Sequence, residues 1–272
     1  MFEEFYGMEN TPFTRNVPVK ALYESAAMSE TVGRIVYAAD KQLFVVVTSD
    51  SGCGKTTVIR RVSEELPDDE YVLLYLSDSK LTPRWFYKGL LDQLGIESRF
   101  YRGDAKRQLQ NEIELIRKAE HKKVVCVLDE AHLLEKETIE EFRFLLNYRF
   151  DSMSPMALVL VGQTELWNEK LKLKRYAAVR QRIDISCVIP HLDRSETQKY
   201  MESHMAYAGC DHDVFSDQAI DEVYKVSSGI LRQINRICEK SLMYGAQQSK
   251  RIIDDHIVRY VAEHEMLKGG ES

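Results

Sequence analysis

The segment Ser51-Gly52-Cys53-Gly54-Lys55-Thr56-Thr57 gathers residue types that bind phosphate. Two glycines in a tight turn let backbone N–H groups converge on an anion. A helix beginning at the lysine adds the positive end of its dipole. Lys55 is then placed to reach the β and γ phosphates of a nucleoside triphosphate, and the Thr56 hydroxyl to hold Mg²⁺. Thr57 lies one residue past the position expected on the metal and is assigned to the cradle alone. The flanks agree. Val45-Val46-Val47 reads as a buried strand entering the turn, and Val58-Ile59-Arg60-Arg61-Val62 as the helix leaving it. In the usual spacing a first glycine precedes Gly54 by five positions, and here Ser49 stands in its place. Serine is small enough for the turn; strain and weaker nucleotide affinity are the alternatives it raises.

A second chemical pair is Asp129-Glu130, at the end of the apolar run Val124-Val125-Cys126-Val127-Leu128. A carboxylate at a buried strand end suits Mg²⁺, which binds oxygen ligands and keeps part of its water shell. Asp129 takes that role, and Glu130 that of a general base polarising the attacking water. The plainer use of an Asp-Glu pair is to cap the helix beginning near Leu133. The phosphate loop upstream, in the order such sites follow, favours the catalytic use. Leu158-Val159-Leu160-Val161-Gly162 is another strand, and Gln163 follows it where a water-orienting side chain would stand. Arg180-Gln181-Arg182 precedes a last strand, and Ser228-Gly229-Ile230-Leu231-Arg232 opens a later helix.

These residues must be carried by regular elements. Strands are predicted over 43–48, 71–76, 124–128, 157–161 and 183–189, and helices over 29–41, 83–94, 105–120 and 136–148. Apolar strands alternating with helices predict an α/β fold with a parallel sheet covered on both faces. After Pro190 the strands stop. Helices are predicted over 193–209, 216–227, 229–248 and 254–266, with Ser195 and Ser216 as cap-like starts. The expected organisation is an aromatic, irregular strap over 1–25, which either covers the core or also touches an adenine ring. An α/β nucleotide-binding domain over 26–190, a helical domain over 191–267 and a frayed polar tail over 268–272 follow.

The 272 residues carry a net charge of -6 and a hydrophobic fraction of 44%, ample for a core but without a global nucleic-acid signature. The five cysteines form no C-x-x-C pair, which fits buried thiols in a reducing compartment. Cys210, His212 and His204 match no zinc spacing. No apolar run approaches the roughly 18 residues of a membrane span, and Glu3 and Glu4 replace a basic leader. A soluble, cytoplasmic protein without membrane contact is expected.

Further motifs are Tyr6-Gly7-Met8-x-x-x-Pro12-Phe13, Asp129-Glu130-Ala131-His132 and Val161-Gly162-Gln163-x-Glu165-Leu166. Arg180-Gln181-Arg182-Ile183 and Gly229-x-x-Arg232-x-Ile234-Asn235 complete the set. In this order they span nearly the whole chain, which resembles the AAA+ ATPases of the ExeA/TniB/TnsC type and is also similar to IstB. The resemblance implies a P-loop AAA+ core with a five-stranded parallel sheet and an all-helical lid. It implies ATP and Mg²⁺ as cofactors, Gln163 as sensor 1 and Arg232 as sensor 2. Arg180 or Arg182 would be a finger into a neighbouring subunit's ATP, with a salt-bridged edge as the bland use of either.

Within that family, secretion proteins of the ExeA kind carry a membrane segment and a cell-wall module after the ATPase. A chain ending after the lid is expected to be of the other kind, the transposon helpers. Those assemble with ATP as rings or helical filaments on duplex DNA, hydrolyse ATP between subunits and direct a transposase to its target. The expected partners are further copies of the chain, double-stranded DNA without sequence preference, a transposase and a target-selector protein. Lys80, Arg84, Lys88, Arg99, Arg102, Lys106 and Arg107 make a locally basic stretch with Phe100 and Tyr101 among them. Arg99, Arg102, Lys106 and Arg107 are the candidate DNA contacts; a solvated helix face paired with Asp104 and Glu112 is the alternative. Two other functions stay open: an ExeA-like secretion or regulatory ATPase acting on protein partners without DNA, and a DEAH helicase, which needs a second recombinase-type domain.

Overall fold

The structure is a computed structural model and describes residues 2–77, 81–146, 154–210 and 212–266. Its elements are α1 (Phe2–Tyr6), α2 (Ala26–Lys41), β1 (Phe44–Thr48), α3 (Lys55–Glu65), β2 (Tyr71–Leu76), α4 (Pro83–Gln93), α5 (Arg102–Leu115) and β3 (Lys123–Leu128). They continue with α6 (Lys136–Leu145), β4 (Ala157–Gly162), α7 (Ala177–Arg180), β5 (Ile185–Val188), α8 (Arg194–Tyr207), α9 (Asp217–Ser227), α10 (Leu231–Gln247) and α11 (Asp255–His264). Lys80, the end of the helix predicted over 136–148 and the tail 268–272 lie outside the described residues.

The chain forms two compact units: Ala27–Ser51 with Lys55–Ile189, and Met1–Ala26 with Gly52–Gly54 and Pro190–Ser272. The first holds a five-stranded parallel sheet in the order β2-β3-β4-β1-β5. The order follows from composition. β1, β3 and β4 are almost continuous β-branched and leucine runs, and only strands covered on both faces bury every position. β2 and β5 carry exposed or half-exposed positions and take the edges. Because all strands run the same way, their carboxyl ends share one edge, where α/β folds place ligands. On one face Phe86, Tyr87, Leu90, Leu109 and Phe142 pack into the core, with Phe86 and Phe142 edge to face at 5.6 Å. On the outer edge of β2, the Gln93 amide accepts from Tyr75 N–H and donates to Tyr75 C=O, both at 2.9 Å.

In the second unit α8 starts on Asp193, not Ser195. Asp193 Oδ1 accepts the Glu196 N–H at 2.7 Å, and Glu196 Oε2 accepts the Asp193 N–H at 3.1 Å. This reciprocal box satisfies two end donors at once, which leaves Ser195 inside the first turn. Ser216 caps α9 as expected. The helix predicted from Gly229 begins at Leu231 instead, because Gly229 is left-handed at φ +74°. A Cβ there would stand 1.9 Å from Leu192 O, so only glycine fits.

The strap is less irregular than expected. It opens with α1 and packs against its own unit. Tyr6 OH donates to Lys250 O at 3.0 Å, Glu9 N–H to Ala208 O at 2.7 Å and Phe13 N–H to His204 Nδ1 at 3.0 Å. Tyr6 and Phe13 are buried, so neither ring is open to an adenine base. Burial pushes the His204 imidazole down to about 4, which keeps Nδ1 an acceptor.

Candidate active site

β1 ends at Thr48 and α3 begins at Lys55, and the turn between them contains Gly52 at φ +87° and Gly54 at φ +92°. Those angles suit residues without Cβ. Lys55 is 8% exposed, and its Nζ donates to the carbonyls of Ser49 and Asp50, both at 3.1 Å. It also donates to Ser49 Oγ at 3.3 Å. The residue that departs from the usual glycine thus supplies an acceptor to the ammonium. The Ser49 hydroxyl is itself satisfied by Asp50 O at 3.1 Å, which explains how a buried serine is tolerated. Cys53 is buried and Thr56 is exposed in the first turn of α3.

Asp129 follows β3 and prolongs its ladder, its N–H donating to Leu76 O at 2.8 Å. Its carboxylate is held on both oxygens. Tyr75 OH donates to Oδ2 and Glu130 N–H to Oδ1, each at 2.8 Å. Burial, reinforced by Asp129, pushes the Tyr75 phenol up, so it remains a donor. Glu130 is left-handed at φ 53° with a side chain 42% exposed. Non-glycine residues in that region gather at functional sites. Gln163 follows β4, and since β4 lies between β1 and β3, it stands between the phosphate loop and Glu130. Its N–H donates to His132 Nδ1 at 3.3 Å, and that nitrogen is 3.5 Å from Glu130 Oε2. Thr164 Oγ1 donates to Asp50 Oδ1 at 3.2 Å.

Tyr75 was not singled out from the sequence, and His132 stood there only as the last residue of the motif Asp129-Glu130-Ala131-His132, with no role of its own. The register pairs Tyr75 with Val127, two residues before Asp129 and on the same face, so the phenol leans onto that carboxylate. Strand order alone would have pointed to it.

The two candidate fingers have different settings. Arg180 Nη1 donates to Leu171 O at 2.9 Å and Lys172 O at 2.8 Å, which ties down the preceding loop. Arg182 lines a cavity of about 730 Å³ with Lys41, Arg117 and Arg143. It precedes the amino end of β5, on the opposite edge of the sheet from Lys55. Arg232 enters at the start of α10, and its N–H donates to Gly52 O at 3.1 Å. A Cβ on Gly52 would stand 2.8 Å from Arg232 Cβ, so glycine permits this approach.

The four candidate DNA contacts are not equivalent. Lys106 Nζ lies 3.2 Å from the buried Glu141 carboxylate and Arg102 3.5 Å from it, while Tyr87 OH donates to the same group at 2.7 Å. Lys106, 23% exposed, is largely committed to that buried charge. Arg107 pairs with Asp104 at 2.8 Å, and Arg99 is exposed. Around them Trp85, Phe100 and Tyr101 are more than half exposed, with Arg84 over the Phe100 ring at 4.1 Å.

Residues 38–168 match the sequence profile of the AAA domain family. The chain carries an AAA-family ATPase domain. Such a domain implies nucleotide binding and hydrolysis. General secretion pathway protein A of Aeromonas hydrophila is 30% identical over 265 residues, covering 94% of this chain. The chain spans 47% of that protein's length. Among solved structures, Cdc6p from Pyrobaculum aerophilum superposes with a TM-score of 0.72 at 15% identity, over 95% of this chain and 71% of that one. The Aeropyrum pernix ORC1 protein in complex with DNA superposes at 0.64 and 14% identity, over 97% and 69%. At these identities the likeness is one of fold: an AAA+ P-loop sheet and a helical C-terminal region. Among the described residues no helix is long and apolar enough to cross a membrane.

Proposed function

We propose that the chain is a Mg²⁺-dependent ATPase working as a homo-oligomer, with the nucleotide held by one copy and completed by the next. The carrying observation is the split across the sheet. Lys55, Asp129, Glu130 and Gln163 share the carboxyl edge, and Arg182 stands at the other. The five residues of β1 alone span about 16 Å, so Arg182 is suited to a neighbour's nucleotide and not its own.

The residues present suit Mg²⁺–ATP. Ser51, Gly52, Cys53, Gly54, Lys55, Thr56 and Thr57 form the phosphate cradle, and Lys55 exchanges its loop carbonyls for phosphate oxygens. Thr56 and Asp129 offer the oxygen donors a hard cation takes, and Mg²⁺, when bound, neutralises charge developing on the phosphates. Glu130 receives the proton of the attacking water, Gln163 orients that water, and Arg232 serves the phosphate side as sensor 2. Arg180 and Arg182 are both candidates for the finger, and the place of Arg182 before the amino end of β5 is what recommends it.

For the cellular task the proposed reading is a DNA transposition regulator. It would oligomerise with ATP as a ring or filament on duplex DNA and direct a transposase, with a target-selector protein, to its site. What supports it is the exposed basic and aromatic surface around Arg99 and Arg102, together with the fold shared with ORC1, a protein known in complex with DNA. Contact with phosphates alone gives sequence-independent binding whose log–log salt slope is about -0.9 per contact. The relative named for general secretion favours a second reading, an ATPase acting on protein partners without DNA.

Two measurements test these statements. Lys55→Ala is expected to lose ATP binding, while Glu130→Gln keeps binding and stops phosphate release; wild-type turnover in Glu130→Gln would remove Glu130 from its role. Filter binding of duplex DNA, with and without a slowly hydrolysed ATP analogue, separates the two tasks. Salt-sensitive retention that needs the analogue supports transposition, and none under any condition supports the secretion-type reading.

A further inference from the structure

We infer that His132 is a positioning residue for hydrolysis, coupling the carboxylate that activates water to the backbone of the residue that orients it. The inference rests on the roles proposed for Glu130 and Gln163. His132 lies in the short turn Ala131–Leu133 after Glu130, with its side chain 10% exposed. Its Nδ1 accepts the Gln163 N–H at 3.3 Å and stands 3.5 Å from Glu130 Oε2.

A ring nitrogen has one lone pair or one hydrogen, so Nδ1 serves a single partner at a time. While it accepts from Gln163 the proton is on Nε2, and Glu130 is left to water. In the other tautomer Nδ1–H donates to Glu130, and the Gln163 N–H must seek a new acceptor. One atom therefore holds either the end of β4 or the catalytic carboxylate. The surroundings allow little slack. A Cβ on Gly162, the last residue of β4, would approach His132 N to 3.1 Å. The turn thus sits directly on the strand that carries Gln163. The left-handed backbone of Glu130 brings its carboxylate back toward the ring two residues on.

The test compares His132→Phe, which keeps a ring without an acceptor, with His132→Asn, whose amide oxygen can stand where Nδ1 stood. Steady-state hydrolysis, ATP affinity and thermal melting are measured on both, beside Glu130→Gln. The expected result is that His132→Phe lowers kcat by at least roughly tenfold, with ATP affinity within about twofold of the parent. His132→Asn should recover most of that loss. If His132→Phe fails to fold, His132→Asn decides alone: parental ATP affinity with kcat reduced several-fold or less keeps the proposal. Turnover as low as that of Glu130→Gln overturns it. Parental kcat in a folded His132→Phe protein, or a loss confined to KM, also overturns it. Active Glu130→Gln would instead remove the hydrolysis reading beneath it, so the two failures are distinguishable.

Discussion

Replacing Tyr75 by phenylalanine removes one oxygen atom from the neighbourhood of Asp129 and leaves β2 otherwise intact. The lost bond is a 2.8 Å O–H···O contact to a carboxylate that is only 7% exposed. Hydrogen bonds to charged groups contribute about 1.5–3 kcal/mol net. Tyr75 is partly open to water, which can replace the hydroxyl, so the lower end applies. About 1.5 kcal/mol corresponds to roughly tenfold in an equilibrium constant. The Glu130 N–H on Oδ1 remains, so the carboxylate keeps its place but loses its orientation about the Cβ–Cγ bond. The expected phenotype is a Mg²⁺ midpoint for ATPase activity raised about tenfold, nearing parental turnover at saturating Mg²⁺. The assay is phosphate release against Mg²⁺ at fixed ATP, with nucleotide binding in EDTA as control. A midpoint within twofold of the parent would show that the phenol does not tune Asp129. Weaker binding in EDTA would show that it acts on the fold.

Arg180→Ala should cost about 2 kcal/mol of stability through its two lost carbonyl bonds, read as a lower denaturation midpoint. Arg182→Ala should hydrolyse poorly, yet regain activity when mixed with Lys55→Ala subunits; no recovery from any mixture would refute completion in trans. The His204 pKa, about 4 when folded against 6.5 for the free side chain, favours the neutral form, so its contribution holds above pH 6.5 and fades as pH falls toward 4. Unfolding free energy should drop by about 2 kcal/mol between pH 7.5 and 5.0 from this group, and His204→Asn should flatten that limb in chemical denaturation at the two pH values. Gly229→Ala forces a Cβ into Leu192 O and should destabilise by roughly 2–5 kcal/mol, visible as a lower melting temperature or insoluble expression.

The central strands were legible because their burial leaves a continuous apolar run, as in Val45–Val47 and Leu158–Val161, and strands of that kind tolerate few polar positions. The positions of Lys55 and Asp129, at the start of a helix after a glycine turn and just past a strand end, were legible from the runs that flank them. What escaped depends on partners distant in the chain. Asp193 outcompetes Ser195 as a cap only because Glu196 reciprocates. The anchoring of Arg180 lies in the carbonyls of Leu171 and Lys172, which no spacing announces. Lys106 reads as surface charge until the fold brings Glu141 beneath it, thirty-five positions away. The aromatic strap was visible as composition, but its helix and its hold on His204 come from tertiary packing.

The amide of Gln93 imitates one residue of a sixth strand. By meeting both backbone groups of Tyr75, it closes the outer border of β2 next to the residue that steadies Asp129. A strand from another molecule arriving at that border would first have to evict the amide, and would then disturb Tyr75 and the carboxylate behind it. Aggregation by sheet extension is discouraged where it would disturb the edge that carries Asp129. A polymer of this chain built by sheet extension would therefore meet a plug at this point of β2, while the other edge of the sheet is β5.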